Sequence, residues 1–442
     1  MRWSIESLGA ITRAEPASGA ADRFVDGVTI DSRTSCAGSL FVALRAGRDG
    51  HEFVEAAFDA GALAALVDRQ SIAGGSFGGW DRGPLLVVED TLVGLERIGA
   101  DARQRMHGPV IGITGSVGKT TTKDMAAAVL SHGFVVSASE RSFNNEFGVP
   151  LTLANSADDT EVAVIEMGAR GIGHIESLCA MVHPTIAVVT AVASAHLEFF
   201  GDLDAVARGK GELVESLDSH GTAILNGDDP RVESMSSRCA GRVIFVGEGR
   251  EVRAEAVGMG ADLRATFDLA TPWGDARIRL AMAGRHHVTN ALLAAASSLS
   301  AGAALDAVVA GLESSSGSGG RMQIRTTASG ATLIDDSYNA NPESMEAGLR
   351  SLAEFPAERR VAVVGVMAEL GHEAADAHQR IAALAFELGV ELVAVGTDMY
   401  GIEPTDDVSR TVGQTGPTTA VLLKGSRVAG LERFVDEFLA GR

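Results

Sequence analysis

Short apolar runs of four to six residues, separated by polar turns, recur along the chain and alternate with stretches long enough for a helix. Near the N-terminus, 39–44, 64–67 and 84–88 read as strands, with helical spacing at 53–61 between the first two. This alternation predicts a small α/β unit over 1–105. The runs 109–111, 134–136, 161–166, 185–190 and 222–226 are spaced by helix-length sequence. They predict a mostly parallel sheet covered by helices across 106–314. The Ser/Gly tract Ser314-Ser315-Ser316-Gly317-Ser318-Gly319-Gly320 marks a link at a domain edge. Beyond it, 331–336, 360–365, 392–396 and 420–424 predict a Rossmann-like α/β domain over 315–442. The expected fold class is α/β, with three domains in series.

Composition narrows the partners. Hydrophobic residues make up 46% of the 442, enough for sizeable cores, and the net charge is −21. That charge argues against a general nucleic-acid binder, whose affinity depends on clustered cations. Anionic substrates must be met by local cations or metal. Cys36, Cys179 and Cys239 are widely spaced and form no CxxC pair, so they read as buried thiols of a reducing compartment. The N-terminus has no apolar leader region, and no apolar run approaches 18 residues. The expectation is a cytoplasmic protein without membrane or nucleic-acid partners.

The chemistry starts at Gly112-Ile113-Thr114-Gly115-Ser116-Val117-Gly118-Lys119-Thr120-Thr121-Thr122, between an apolar strand and a helical stretch. Glycines at a strand-to-helix turn let backbone N–H groups face an anion, and the helix dipole favours one there. Lys119 suits the β/γ-phosphates, and the Thr120 hydroxyl suits magnesium. The glycines at 112, 115 and 118 depart from the usual spacing of such loops. A glycine-rich turn that binds nothing is the plainer alternative, and the strand and helix around the loop weigh against it.

Glu166 ends an apolar strand, where open α/β sheets place their ligands. It reads as a magnesium ligand opposite Thr120, or as the cap of the next helix. His196 and Glu198 follow another strand end and suit a second metal or phosphate contact. Lys210, in Arg208-Gly209-Lys210-Gly211-Glu212 at an expected helix start, reads by itself as a solvated lysine. Asn144-Asn145-Glu146 before Pro150 is either a substrate-facing loop or a turn. Asp335-Asp336-Ser337-Tyr338-Asn339-Ala340-Asn341-Pro342 offers acceptors for ribose hydroxyls or an ammonium, and Asp336 or Ser337 could equally cap the helix near Pro342. Lys424-Gly425-Ser426-Arg427 suits a carboxylate or phosphate, or is an exposed helix-start turn.

Taken together these strings resemble the Mur ligases, the ATP-dependent amide-bond formers of peptidoglycan precursor synthesis. The resemblance adds Asp31-Ser32-Arg33 with 38–44 and Asp49-Gly50-His51-Glu52-Phe53, similar to the family's UDP-sugar-binding segment. It continues through Asn226-Gly227-Asp228-Asp229-Pro230, Gly284 to Leu292, Gly320-Arg321-Met322-Gln323 and Glu369-Leu370-Gly371. Within the family, the Asp-Ser-Tyr-Asn-Ala-Asn-Pro run resembles the member that adds D-alanyl-D-alanine to UDP-N-acetylmuramoyl-tripeptide. The diamino-acid-adding relative carries Asp-Asn-Pro-Arg, which is absent here.

The resemblance implies roles. The loop residues Gly115, Ser116, Gly118, Lys119, Thr120 and Thr121 would handle the ATP phosphates and Mg2+. Glu166 and His196 would hold magnesium, and Asn290 would contact adenine. Arg321 and Asp335 would reach the nucleotide from the third domain. Lys210 aligns with the family's lysine that becomes a carbamate near the metals. Ser32, Arg33, Asp49, His51, Asn144, Asn145, Tyr338, Asn339, Asn341 and Lys424 are the expected substrate contacts. Family precedent favours a monomer. A hinge is expected near 312–322, closing the third domain onto ATP.

Three departures stand out. Ala193-Ser194-Ala195 replaces the usual Gly-Pro-Ala, His287 replaces an Asn, and Val366 replaces an aspartate. The rival readings are the diamino-acid-adding ligase, a folylpolyglutamate-type ligase and a nucleotide-binding regulator without catalysis. The segment 31–53 speaks against the second, and the joint presence of Lys119, Thr120, Glu166, His196 and Lys210 speaks against the third.

Overall fold

The computed structural model describes residues 1–15, 23–34, 36–140, 142–194 and 197–440. They divide into two compact units. One comprises 1–112, 134–168 and 176–185, the other 113–133, 169–175 and 186–442.

The first unit opens with an antiparallel ribbon, Arg2–Ser4 against Phe24–Asp26. Four parallel strands follow in the order Val28–Thr29, Leu40–Val42, Ala64–Asp68 and Leu85–Val88. Parallel neighbours need crossovers. The turn Gly50–Phe53 and helix Val54–Asp59 supply one, where helical spacing predicted it. Leu40–Val42 is shorter than its apolar run because the chain bends into the Arg45–Asp49 bridge.

Helix Thr91–Gln104 starts at Asp90, whose carboxylate accepts from the Leu92 and Val93 N–H groups. It packs against helix Gly148–Ala154 at Gly99, where a Cβ would lie 2.8 Å from Pro150 Cβ. The strand expected at 134–136 begins later, at Val136–Ala138, parallel to Val162–Glu166. The Glu161 carboxylate takes the Val135 N–H and displaces the start of the ladder.

In the second unit, Ile186–Val189, Thr222–Asn226 and Arg242–Val246 pair in parallel in that order. Helices His287–Ser300 and Leu305–Ser314 pack against helix Lys119–Leu130. The second does so at Gly311, where a Cβ would come within 2.4 Å of Val129 Cα. The middle region is not parallel throughout. Arg253–Met259, Arg264–Thr271 and Gly274–Ala283 form an antiparallel sheet that continuous apolar runs do not reveal. Its buried Ala265, Phe267, Leu269, Ile278 and Leu280 alternate with polar positions, the period-two signature of a sheet with one wet face.

After residues 315–322, which lack regular structure, comes a five-stranded sheet. Its order is Gln323–Thr326, Thr332–Asp336, Thr419–Lys424, Arg359–Val364 and Glu391–Ala394, antiparallel at the first pair and parallel thereafter. Alternation sorts its residues between two cores. Ile334, Ala362 and Leu422 meet Met345, Leu349 and Ile381 of helices Pro342–Glu354 and Ala374–Glu387. Leu333, Val363 and Val421 meet Phe434 and Phe438 of helix Glu432–Ala440. Helices on both faces make this a doubly wound α/β layer. Among the described residues, no helix is long and apolar enough to cross a membrane.

Candidate active site

The phosphate loop requires its glycines. Gly115 sits at φ +147°, and a Cβ there would fall 1.9 Å from Thr190 Oγ1. Gly118 sits at φ +82°, and a Cβ would fall 2.4 Å from Asn290 Oδ1. Other residues would be strained and would collide. Ser116 binds the loop after Ile186–Val189: its N–H donates to the Ala191 carbonyl (2.8 Å) and its hydroxyl to the Ala193 carbonyl (3.0 Å). The Lys119 ammonium curls back onto the Gly115 and Ser116 carbonyls, at 2.7 and 3.3 Å. Thr120, Thr121 and Thr122 open helix Lys119–Leu130 and are all buried. Three β-branched residues are poor helix formers. Two of them hold partners instead: Thr120 Oγ1 accepts from Arg321 Nη2 (3.0 Å), and Thr122 Oγ1 donates to Asn290 Oδ1 (3.4 Å).

Asn290 is thereby lodged against the loop, and its Nδ2 lies 3.1 Å from His287 Nδ1. Burial, with His286, Arg321 and Lys424 nearby, holds the His287 pKa well below its usual value. The neutral ring accepts the amide proton at Nδ1, and its buried Nε2 has no partner. The sequence marks His287 only as a departure from the family's asparagine.

Lys210 lies in the interior of helix Leu203–Glu215, not at a helix start, and is 1% exposed. Flanking glycines allow this burial. A Cβ on Gly209 would lie 2.8 Å from Phe200 Cε1, and one on Gly211 would strike the Arg238 guanidinium. Burial and then the Lys119 charge push the Lys210 pKa far down, so the amine is disposed to be neutral.

In the first unit, Glu166 closes strand Val162–Glu166 and is 1% exposed. Asn144 Nδ2 donates to its Oε1 (2.7 Å), while its buried Oε2 has no hydrogen-bond partner. An orphaned carboxylate oxygen fits a hard cation, which magnesium is. Asn145 holds the turn ahead of helix Gly148–Ala154, its Oδ1 accepting from the Phe147 and Gly148 N–H groups (3.3 and 2.9 Å). Among the described residues no group of three or more His, Cys, Asp or Glu side chains gathers as a metal cluster. His196 lies outside the described residues.

The C-terminal sheet delivers Asp336 and Lys424 as register partners at two parallel strand ends, where they form a salt bridge. Lys424 also donates to the Asn339 carbonyl (3.2 Å). Asp335 Oδ1 is held by the Ser337 hydroxyl (2.6 Å). Asn341, rather than Asp336 or Ser337, caps helix Pro342–Glu354 through a capping box with Ser344. The Tyr338 ring has the Arg321 guanidinium 4.2 Å from its centroid and that of Arg427 at 5.9 Å. At Val366 the backbone is held by groups other than an aspartate. Ser426 N–H donates to the Val366 carbonyl (2.9 Å), and Met367 N–H donates to His378 Nε2 (2.9 Å).

The remaining sequence candidates fall in the first unit. Arg33 grips Asp31 with Nε and Nη2 (2.9 and 2.7 Å), and this holds the Asp31 carboxyl at about 2. Ser32 sits in the same turn. His51 is buried, its Nδ1 bound to Asp49 (2.6 Å) and its Nε2 accepting from the Asp68 N–H (3.0 Å). Arg45 ties Asp49 to Asp68, so Asp49 and His51 brace the end of strand Ala64–Asp68.

A strand, a glycine-constrained anion loop and a helix N-terminus define a P-loop nucleotide-binding α/β protein with a separate Rossmann-like layer. The family model described as Mur ligase middle domain matches residues 113–298, and that described as Mur ligase, glutamate ligase domain matches 320–436. The UDP-N-acetylmuramoyl-tripeptide–D-alanyl-D-alanine ligase of Escherichia coli K12 is 37% identical over 440 residues, covering 94% of each chain. A crystal structure of MurF from Acinetobacter baumannii superposes with a TM-score of 0.87 at 29% identity, covering 99% of both chains. That of Thermotoga maritima MurF in complex with ADP gives 0.81 at 27%, covering 94% of this chain and 97% of that one. The chain belongs to the Mur ligase family, among its UDP-N-acetylmuramoyl-tripeptide–D-alanyl-D-alanine ligases.

Proposed function

We infer from these residues how the chain joins D-alanyl-D-alanine to UDP-N-acetylmuramoyl-tripeptide at the expense of ATP, in peptidoglycan synthesis. The reading is carried by the phosphate loop, where close packing forces glycine at 115 and 118 and Lys119 and Thr120 open the helix that follows. The tripeptide's terminal carboxylate oxygen attacks the γ-phosphorus of ATP. The bond to the β-phosphate oxygen breaks, giving ADP and an acyl phosphate. The free amine of the dipeptide then adds to the acyl carbon. The tetrahedral intermediate expels inorganic phosphate, and the nitrogen loses a proton. Lys119 and the loop N–H groups offset the charge that builds on the transferring phosphoryl group, and Arg321 adds a cation beside Thr120.

Thr120, Glu166, His196 and a carbamate on Lys210 would hold magnesium, which when bound neutralises phosphate charge. Glu166 supports this through its unpaired oxygen. Lys210 supports it because a buried neutral amine can attack carbon dioxide, lose a proton and so become an anion beside the Lys119 cation. A carbamate carbon signal under 13C-bicarbonate, absent from Lys210→Ala, is the expected result. Asn290 and Asp335 are read as nucleotide contacts. Ser32, Arg33, Asp49 and His51 are read with the UDP-sugar, and Asn144, Asn145, Tyr338, Asn339, Asn341 and Lys424 with the peptide substrates. For Asn341 any such contact is additional to its capping of helix Pro342–Glu354. The domains are read as 1–105, 106–314 and 315–442, in a cytoplasmic monomer hinged near 312–322.

Substrate labelled with 18O in the tripeptide carboxylate tests the chemistry. One labelled oxygen should appear in the released phosphate, because the carboxylate oxygen leaves with phosphorus. Unlabelled phosphate would rule out the acyl phosphate.

A further inference from the structure

The loop after strand Ile186–Val189 has its backbone groups bound one after another. The Ala191 carbonyl accepts from Ser116 N–H (2.8 Å), and Val192 N–H donates to Asp229 Oδ2 (2.8 Å). Ala193 N–H donates to Ser116 Oγ (2.9 Å), and the Ala193 carbonyl accepts from that hydroxyl (3.0 Å). Ser194 N–H then donates to Glu343 Oε1 (2.9 Å). Ser116 belongs to the phosphate loop, and Asp229 caps helix Pro230–Ser234. Glu343 lies across the tract 315–322, in the first turn of helix Pro342–Glu354. Asn341 and Ser344 already cap that helix, so the cap does not need Glu343. A second tie follows: Glu198 N–H donates to the Glu369 carbonyl (3.3 Å). Glu369 is held at φ +64°, and a Cβ on Gly371 would sit 3.6 Å from Glu198 Cα. One contact of the C-terminal region therefore lands on loop 191–194, whose other side is stitched to Ser116, and a second lands on the short helix Leu197–Phe200.

We propose that Glu343 is a positioning residue that fixes loop 191–194 when the C-terminal region docks, joining Ser116, the loop and helix Pro342–Glu354 into one hydrogen-bonded unit. The bond uses only a backbone N–H, so a proline at 194 cannot make it. The catalytic consequence rests on the ligase reading above; the contact itself does not. Once docked, the loop presents its Ser116 side to the phosphates in a single arrangement. Undocked, Ser194 loses its acceptor and the loop loosens at its far end.

Hydrogen–deuterium exchange on the full chain tests the contact without any assay of ligation. Glu343→Ala is expected to speed exchange of the Ser194 amide about fivefold, with Glu343→Gln in between, while Val192 keeps its rate because Asp229 holds it. In steady state, Glu343→Ala should lower kcat about fivefold and leave ADP affinity unchanged, since no phosphate-loop contact is lost. Ser194→Pro should reproduce the loss, and the double variant should be no worse than the poorer single. Ser194→Ala keeps the donor and should recover kcat. Melting temperatures separate these effects from simple destabilisation of the helix. Unchanged Ser194 exchange in Glu343→Ala would overturn the contact, and additive losses or an unchanged kcat would overturn the positioning role. A parent protein that ligates nothing would count against the function and leave the exchange result standing.

Discussion

Arg321 reaches from the start of the C-terminal region to Thr120 in the first turn of the phosphate-loop helix, Nη2 to Oγ1 at 3.0 Å. The Tyr338 ring flanks its guanidinium at 4.2 Å, and its buried Nε has no hydrogen-bond partner. A cation held this way is available to a phosphate. Arg321→Ala should raise the KM for ATP by about tenfold, the loss expected for one charge-assisted hydrogen bond. Arg321→Lys should recover only part, because an ammonium lacks the planar fork. Initial rates against ATP concentration check both.

Asn144 positions Glu166. Removing its amide in Asn144→Ala leaves both oxygens of a buried carboxylate without a donor. The expected outcome is a Glu166 carboxylate that is less firmly oriented and binds cations less well. The magnesium concentration for half-maximal rate should rise several-fold, with the melting temperature little changed. Glu166→Gln should cost far more.

His287 accepts the Asn290 amide proton, which turns Oδ1 toward Gly118 and Thr122. His287→Leu fills the space without an acceptor and should weaken ADP binding about fivefold. His287→Asn restores an acceptor and should recover it. Calorimetric titration with ADP distinguishes lost packing, which would spare neither variant, from the lost hydrogen bond.

The fold was legible where strands are continuous apolar runs and obscure where they alternate. The parallel strands ending at Glu166, Asp336 and Lys424 follow from their sequences, because both faces of such strands are buried. The antiparallel strands at 253–283 do not, since every second residue is polar. The glycine-rich turn was readable because its glycines at 115 and 118 are visible in the sequence, and the structure gives the steric reason for them. Lys210 was not. Its burial depends on Phe200 and Arg238 packing over Gly209 and Gly211, a tertiary fact that sequence spacing does not carry. The contact of Glu343 with the Ser194 N–H is a tertiary fact of the same kind.

Asp68 links stability to pH. Burial would raise its pKa, but hydrogen bonds from Arg45 and Ser71 outweigh this and hold it at about 2. A carboxylate depressed below its unfolded value of 3.8 stabilises the fold above about pH 4, and the benefit disappears as pH falls through 2. With a discount for the half-exposed Arg45, Asp68→Asn should cost about 1.5 kcal/mol at pH 7. The parent and variant should converge near pH 2. Trp3 and Trp80 lie in this unit and Trp273 in the other, so tryptophan fluorescence of a Trp273→Phe background during denaturation reports it.

Phosphate release from ATP, magnesium and UDP-N-acetylmuramoyl-tripeptide, with D-alanyl-D-alanine or a diamino acid as acceptor, tests the central claim most directly. Release should require both the nucleotide-linked tripeptide and the dipeptide, yield the pentapeptide product in equal amount, and vanish in Lys119→Ala. Release driven by the diamino acid alone, or undiminished in Lys119→Ala, would contradict it.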